Sequence, residues 1–182
     1  MENALAELPD ETRNAVEQEL RLLDEISGQI MAIEQRIARI VAVTQSMQLL
    51  MTVPGVGKIL AITIALETGD VSRFPDGEHF ASYAGTVPCV SSSGGKTYFG
   101  RVRPDVNHYL KTAFVEAANT ICLQQNKMAK RHVGSLYLRM REKKGHAKAI
   151  MAVARHLAEA SYNMLKKNEP YTERKTQFNK QG

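Results

Sequence analysis

Apolar residues recur three and four positions apart from Asp10 to about Gln48, a repeat that predicts one long helix over the start of the chain. One seam holds Val16, Leu23, Ile30 and Ile37, and the other holds Ile26, Ile33, Ile40 and Met47. This is an a/d heptad pattern, interrupted early by Glu19 at a d position. Leu8-Pro9-Asp10 makes a plausible start, with Asp10 capping or lying in the first turn, where negative charge suits the helix dipole. Such a helix reaches about 55–60 Å at 1.5 Å per residue. A seam that long stays exposed unless something covers it. Residues 1–48 are therefore read as a coiled-coil helix, closing within the chain or on a second copy, with packing on the chain's own globular body as the alternative. Gly28 is its weak point, costing roughly 1 kcal/mol relative to alanine.

Leu49 to Gly69, LLMTVPGVGKILAITIALETG, follows. Pro54 is expected to end the long helix, because it lacks an amide hydrogen and biases Val53 away from the α region. Gly55 and Gly57 flank Val56 in a tight turn, a second helix runs from about Lys58 to Glu67, and Gly69 stops it. Helix, P-G-V-G, helix resembles the helix-hairpin-helix module of DNA-binding proteins. The glycines let backbone amides approach a phosphate, the next helix points its positive end there, and Lys58 adds a charge. The alternative is a plain corner between helices, with Val53 and Val56 in the core.

Further helices are predicted around Phe80, Ala81 and Tyr83, over Val106–Leu123, over 129–143, and from about His146 to Lys167. No internal repeat or β-hairpin signal is read, so the fold class is all-α, with residues 168–182 as a disordered tail. No apolar run is long enough to span a membrane. The acidic N-terminus is unlike a signal peptide. The chain has two cysteines, Cys89 and Cys122, too few for a disulfide framework; the default compartment is cytoplasmic.

Charge separates the two parts. Residues 1–50 hold nine acids and four bases, while residues 51–182 hold ten acids and twenty bases. The basic character belongs to the C-terminal body, and a body charged this way attracts polyanions, nucleic acid first among them. The alternative is charge that serves solubility alone.

Between the helices lies Gly85–Asn107, GTVPCVSSSGGKTYFGRVRPDVN, polar and glycine-bearing, of the kind a rigid scaffold uses to present chemistry. It is no P-loop, because Val90 stands where a glycine is needed before Gly95-Lys96-Thr97. It lacks the G-x-S-x-G nucleophile elbow. The histidines at 79, 108, 132, 146 and 156 have neither i, i+4 pairing nor acidic partners at ligand spacing, so no zinc site is expected. What remains is serine chemistry on phosphate. A serine hydroxyl needs a base, cations or fixed geometry to attack. Lys96, Arg101 and Arg103 are placed to neutralise phosphate oxygens, and Ser93 precedes Gly94-Gly95, which leave room for a DNA backbone. The competing reading of SSSGG is a flexible linker.

From about Leu49 to Leu165 the chain resembles the C-terminal transposase domain of the one-ten family of insertion-sequence transposases, related to the Piv-type DNA invertases. The match lies in order and spacing: VPGVGKILAITIALETGD, FASYAGTVP, SSSGGK, GRVRPDVNHYLK, then basic C-terminal helices. The resemblance implies a DNA recombinase of mobile elements, in which the serine before the glycines, matching Ser93, attacks a DNA phosphate and becomes covalently attached. It also implies, for some members, an element-encoded guide RNA. The family ordinarily opens with an RNase-H/RuvC-like domain carrying four acidic Mg²⁺ ligands, and nothing before Leu49 has that pattern. No cofactor is therefore expected in this chain, and it is expected to be the C-terminal half of such an enzyme. Where the family usually has a lysine and a glycine before the asparagine, this sequence has Pro104 and Val106, with Asn107 retained.

The sequence reading is thus an all-α protein with a coiled-coil helix over 1–48 and a DNA-binding, serine-bearing domain over 49–167. Catalysis is expected at Ser93, and DNA contacts at Gly55, Gly57, Lys58, Lys96, Arg101, Arg103 and Asn107. The expected partners are DNA and a second copy of the chain. The alternative is a noncatalytic DNA-binding and dimerisation module.

Overall fold

The computed structural model describes residues 8–93, 96–100 and 103–173, with the strand residues among them described by their backbone pairing. The chain forms two compact units, Met1–Ala42 and Val43–Gly182.

The first unit is helix α1, Asp10–Ile40, 31 residues long and so about 46 Å from end to end. Asp10 and Glu11 occupy its first turn and Arg39 its last, which complements the helix dipole. Arg13 fixes the start by donating to the Leu8 carbonyl at 2.9 Å. None of the helix's residues is buried, and Leu23, Ile26, Ile30, Ile33 and Ile40 all stand exposed along the seam. The helix is shorter than the repeat suggested: it stops at Ile40, not near Gln48. The reason lies in Val41-Ala42-Val43-Thr44, a stretch rich in β-branched residues. Thr44 then caps a separate helix, its side chain accepting from the Met47 amide at 3.3 Å. Met47, read as a seam position, instead lies in the core of the second unit with 4% of its surface exposed. Pro54 accordingly follows this short helix and does not end the long one.

The second unit is built from α2 (Gln45–Leu50), α3 (Lys58–Thr68), a 3-10 turn (Val71–Arg73), α4 (Gly77–Tyr83), strands β1 (Val90–Ser93) and β2 (Lys96–Phe99), and helices α5 (His108–Leu123), α6 (Gln125–Met128), α7 (His132–Lys144) and α8 (His146–Lys167). The packing is all-α. Helix α8 is central, touching α2, α4, α5 and α7, while α3 packs on α5 and α2. Alanines at 113, 117, 118, 149, 154 and 158 are fully or almost fully buried, and small side chains let helix axes approach closely. Phe80 and Phe114 anchor the centre edge to face, ring centroids 6.1 Å apart. The Tyr162 hydroxyl donates to the carbonyls of Phe74 and Pro75, each at 3.1 Å, so α8 also holds the loop before α4. No helix among the described residues is long and apolar enough to cross a membrane.

Two features depart from the sequence reading. Strands β1 and β2 pair antiparallel, Val90 with Phe99 through Ser93 with Lys96, where no hairpin was expected. Val90, Thr97, Tyr98 and Phe99 favour extended backbone, and Gly-Gly between two such runs is a hairpin signature. The stretch after α8, read as a disordered tail, packs on the body as far as Glu173. Asn168 takes a left-handed conformation that ends the helix. The Tyr171 amide donates to the Thr52 hydroxyl at 2.8 Å, and Arg131 pairs with Glu173 at 3.2 Å. The remainder of the expected tail lies outside the described residues.

Gly55 is the tightest point of the unit. Its φ is +80°, and a Cβ there would lie 2.3 Å from the Ala117 carbonyl oxygen. Gly57 has open space around it. Gly55→Ala should therefore cost about 2–4 kcal/mol through strain and overpacking, whereas Gly57→Ala should stay within about 1 kcal/mol. Urea denaturation of the two variants checks the contrast; equal midpoints would contradict it.

Candidate nucleic-acid interface

The turn before α3 is folded by its own sequence. The Val56 amide donates to the Val53 carbonyl at 3.0 Å, Val53, Pro54 and Val56 are buried, and Gly55 presses on α5. Gly57 then caps α3 without a side-chain acceptor, so the first-turn amides of α3 are left without intrahelical partners. Lys58, exposed, opens the helix beside them. Uncapped amides, the positive helix end and a lysine together suit an anion.

The serine-bearing segment is a second structure. Ser93 and Lys96 are paired in register at the end of the hairpin where Gly94-Gly95 connect the strands. Those glycines and Arg101 lie outside the described residues. The other end of the hairpin closes through the Gly100 amide, which donates to the Cys89 carbonyl at 2.7 Å. Beyond it the segment is fastened at Asn107. The Asn107 amide donates to the Tyr83 carbonyl at 2.8 Å. Its side-chain oxygen caps α5 by accepting from the Leu110 amide at 2.9 Å, and its Nδ2 donates to Glu67 Oε2 at 2.7 Å and to the Tyr83 hydroxyl at 3.3 Å. A Cβ on Gly85 would lie 2.8 Å from Val106 Cγ2, so both ends of the segment meet closely.

Around this root the side chains interlock. The Arg73 guanidinium lies over the rings of Phe74 and Tyr83, 4.5 and 4.7 Å from their centroids. Hydrogen bonds from Asn107 and then Arg73 hold the Tyr83 phenol below its ordinary pKa. Arg103 makes a two-pronged pair with Asp105, its Nε donating to Oδ1 at 2.9 Å and its Nη2 to Oδ2. That pairing pulls the Asp105 carboxyl below, and pushes the Arg103 guanidinium above, their usual values.

The expected site residues therefore do not form one cluster. Helices α3 and α5 run antiparallel, with Gly55 against Ala117 and Glu67 against Asn107. Ten residues of α5 separate those contacts, about 15 Å of helix. Gly55, Gly57 and Lys58 lie at one end of the pair, and Asn107 with the hairpin root at the other. Gly55 is occupied by α5, Asn107 by its cap and tether, and Arg103 by Asp105; Gly57 and Lys58 remain open. Glu67, Arg73 and Tyr83 were not read from the sequence as site residues, because a bond between residues 67 and 107 leaves no local periodic signal.

Residues 47–133 match the family model described as the transposase IS116/IS110/IS902 family. The chain is 32% identical over 107 residues to the "Probable family 20 transposase" of Pseudomonas aeruginosa, covering 55% of this chain and 32% of that protein. It is 26% identical over 160 residues to the transposase for insertion sequence element IS1111A of Coxiella burnetii, 87% and 42% of the two chains. It is 29% identical over 129 residues to the pilin gene-inverting protein of Moraxella bovis, 69% and 38%. The chain thus spans less than half the length of each of these relatives.

Replacing Asn107 by alanine removes a helix cap and leaves the Glu67 carboxylate without its donor. A loss of about 1–3 kcal/mol is expected, read by thermal melting. In the same variant the Tyr83 phenol should titrate higher by ultraviolet absorbance, with Tyr83→Phe as the reference. An unchanged melt and titration would contradict the tether.

Proposed function

Because residues 47–133 match the transposase IS116/IS110/IS902 family model, we propose that this chain belongs to a DNA transposase of that family and supplies its serine-bearing half. The observation that carries the reading is the register of the hairpin, which sets Ser93 opposite Lys96 on strands whose base is tied to α3, α4 and α5. In the reaction the Ser93 hydroxyl oxygen attacks a DNA phosphorus. One serine–phosphate ester bond forms, one bridging phosphorus–oxygen bond to deoxyribose breaks, and the released sugar oxygen leaves as a hydroxyl carrying the proton. Lys96 and Arg101 compensate the added charge on the phosphate. The open end of α3, with Gly57 and Lys58, holds the duplex backbone at a separate point. The seam of α1 pairs with a second copy as a coiled coil, which covers its exposed isoleucines. The acidic domain implied by the family would supply the base and Mg²⁺.

A second reading, a noncatalytic DNA-binding and dimerisation module, is favoured by the engagement of Arg103 and Asn107 within the chain. Trapping on nicked duplex DNA, with and without an added acidic domain, separates the two. The catalytic reading expects a covalent protein–DNA adduct that disappears in Ser93→Ala while duplex affinity changes by less than about threefold. An adduct that survives Ser93→Ala, or never forms under either condition, leaves the binding module as the function.

A further inference from the structure

Most cations elsewhere in the described chain that have partners are matched to acids: Arg21 to Glu17, Arg103 to Asp105, and Arg155 to Glu78 and Glu159. The stretch from Gln124 to Lys148 is different. It carries eight lysines and arginines against a single acid, Glu142. Arg131 is engaged by Glu173, and Arg141 donates to Gln125 Oε1 at 3.2 Å while lying over the Tyr137 ring. The other six, Lys127, Lys130, Arg139, Lys143, Lys144 and Lys148, are exposed and have no acidic partner among the described residues.

The fold gathers these cations. Helix α6 and the residues after it run antiparallel beside α7, held by the Gln125–Arg141 bond and by the Ser135 hydroxyl, which donates to the Ala129 carbonyl at 3.2 Å. Gly134 brings the two runs together, since a Cβ there would lie 1.9 Å from the Met128 carbonyl oxygen. Ser135, Arg139, Arg141 and the single acid Glu142 line the groove beside Ala129. At the far end the chain turns back at Gly145, and the Tyr137 hydroxyl meets His146 Nδ1 at 2.9 Å, so Lys143, Lys144 and Lys148 flank one fixed corner. A surface shaped only for solubility intersperses both signs; this one does not. Its phosphate-binding chemistry lacks a stacking platform as well, because Tyr137 is the only Phe, Tyr or Trp in the stretch and is buried. Unstacked bases of a single strand need such platforms, whereas the backbone of a duplex does not.

We propose that the α6–α7 face and the α7–α8 corner form a second contact surface for the phosphate backbone of duplex DNA, distinct in its residues from the Gly57–Lys58 helix end and the Ser93 hairpin. It rests on the transposase reading above and extends it: the surface adds affinity without reading sequence, and holds the duplex while the hairpin engages.

The test is duplex binding by the full chain, read by fluorescence anisotropy across a salt series, for the wild type and for K127Q/K130Q/K143Q/K144Q. Every phosphate that the protein ceases to neutralise lowers the slope of log binding constant against log salt by about 0.9. The quadruple variant should therefore bind with a slope shallower by about 2–4, while Lys58→Gln lowers it by about one. The altered side chains are exposed and have no acidic partner among the described residues, so the circular dichroism melt should not move. A quadruple variant with the wild-type slope overturns this surface and leaves the transposase reading standing. A wild type without salt-dependent duplex binding overturns both. Duplex RNA bound more tightly than duplex DNA by the wild type, with the difference abolished in the quadruple variant, overturns the assignment to DNA.

Discussion

Asn107 uses every hydrogen-bonding group it has. Its side-chain oxygen starts α5, its two side-chain hydrogens hold the end of α3 and the end of α4, and its main-chain amide returns to the Tyr83 carbonyl, just before the segment begins. A two-stranded hairpin of four-residue strands is marginal by itself, so its orientation depends on this root. An asparagine is suited to the position because one short side chain combines an acceptor with two donors. An aspartate would keep the cap but meet Glu67 with like charge.

The packed helices were legible in the sequence. The spacing of Leu110, Phe114, Ala117 and Ile121 identifies the buried face of α5, and Ile150, Val153, Leu157 and Met164 identify that of α8. Errors arose where pattern and chain geometry disagree. Met47 falls on the heptad spacing, yet Val41–Thr44 break the helix before it, and its side chain is recruited by a different core. The hairpin hid because its first strand is nearly all serine and offers no alternation of apolar and polar residues. The Gly-Gly connection between VSSS and KTYF was the usable signal. The tail looked polar, yet Tyr171 packs against the core beside the Thr52 and Glu173 contacts, and burial holds its phenol up at about 12.

The candidate site was legible in its residue types and not in its arrangement. Gly55, Gly57 and Lys58 are neighbours in sequence, and so are Arg103 and Asn107. Only the antiparallel packing of α3 on α5 shows that the two groups stand about a helix length of 15 Å apart. That separation turns one imagined pocket into spaced points of contact along a surface, a layout suited to an extended polyanion more than to a small molecule. It also explains why two of the expected cationic or polar contacts are internal: at the hairpin root, fixing the backbone has taken precedence over reaching outward.

Helix α8 packs against α2, α4, α5 and α7, and it follows all of them in the chain. During synthesis the apolar faces of those helices emerge from the ribosome before the element that buries them exists. The nascent body must wait with Phe80, Phe114 and Leu110 incompletely covered, a condition that invites aggregation or chaperone capture. Its native state is then reached by the late arrival of one helix, fastened by the Tyr162 hydroxyl and by the Arg131–Glu173 pair that follows it. Completion of this core therefore waits on the translation of α8.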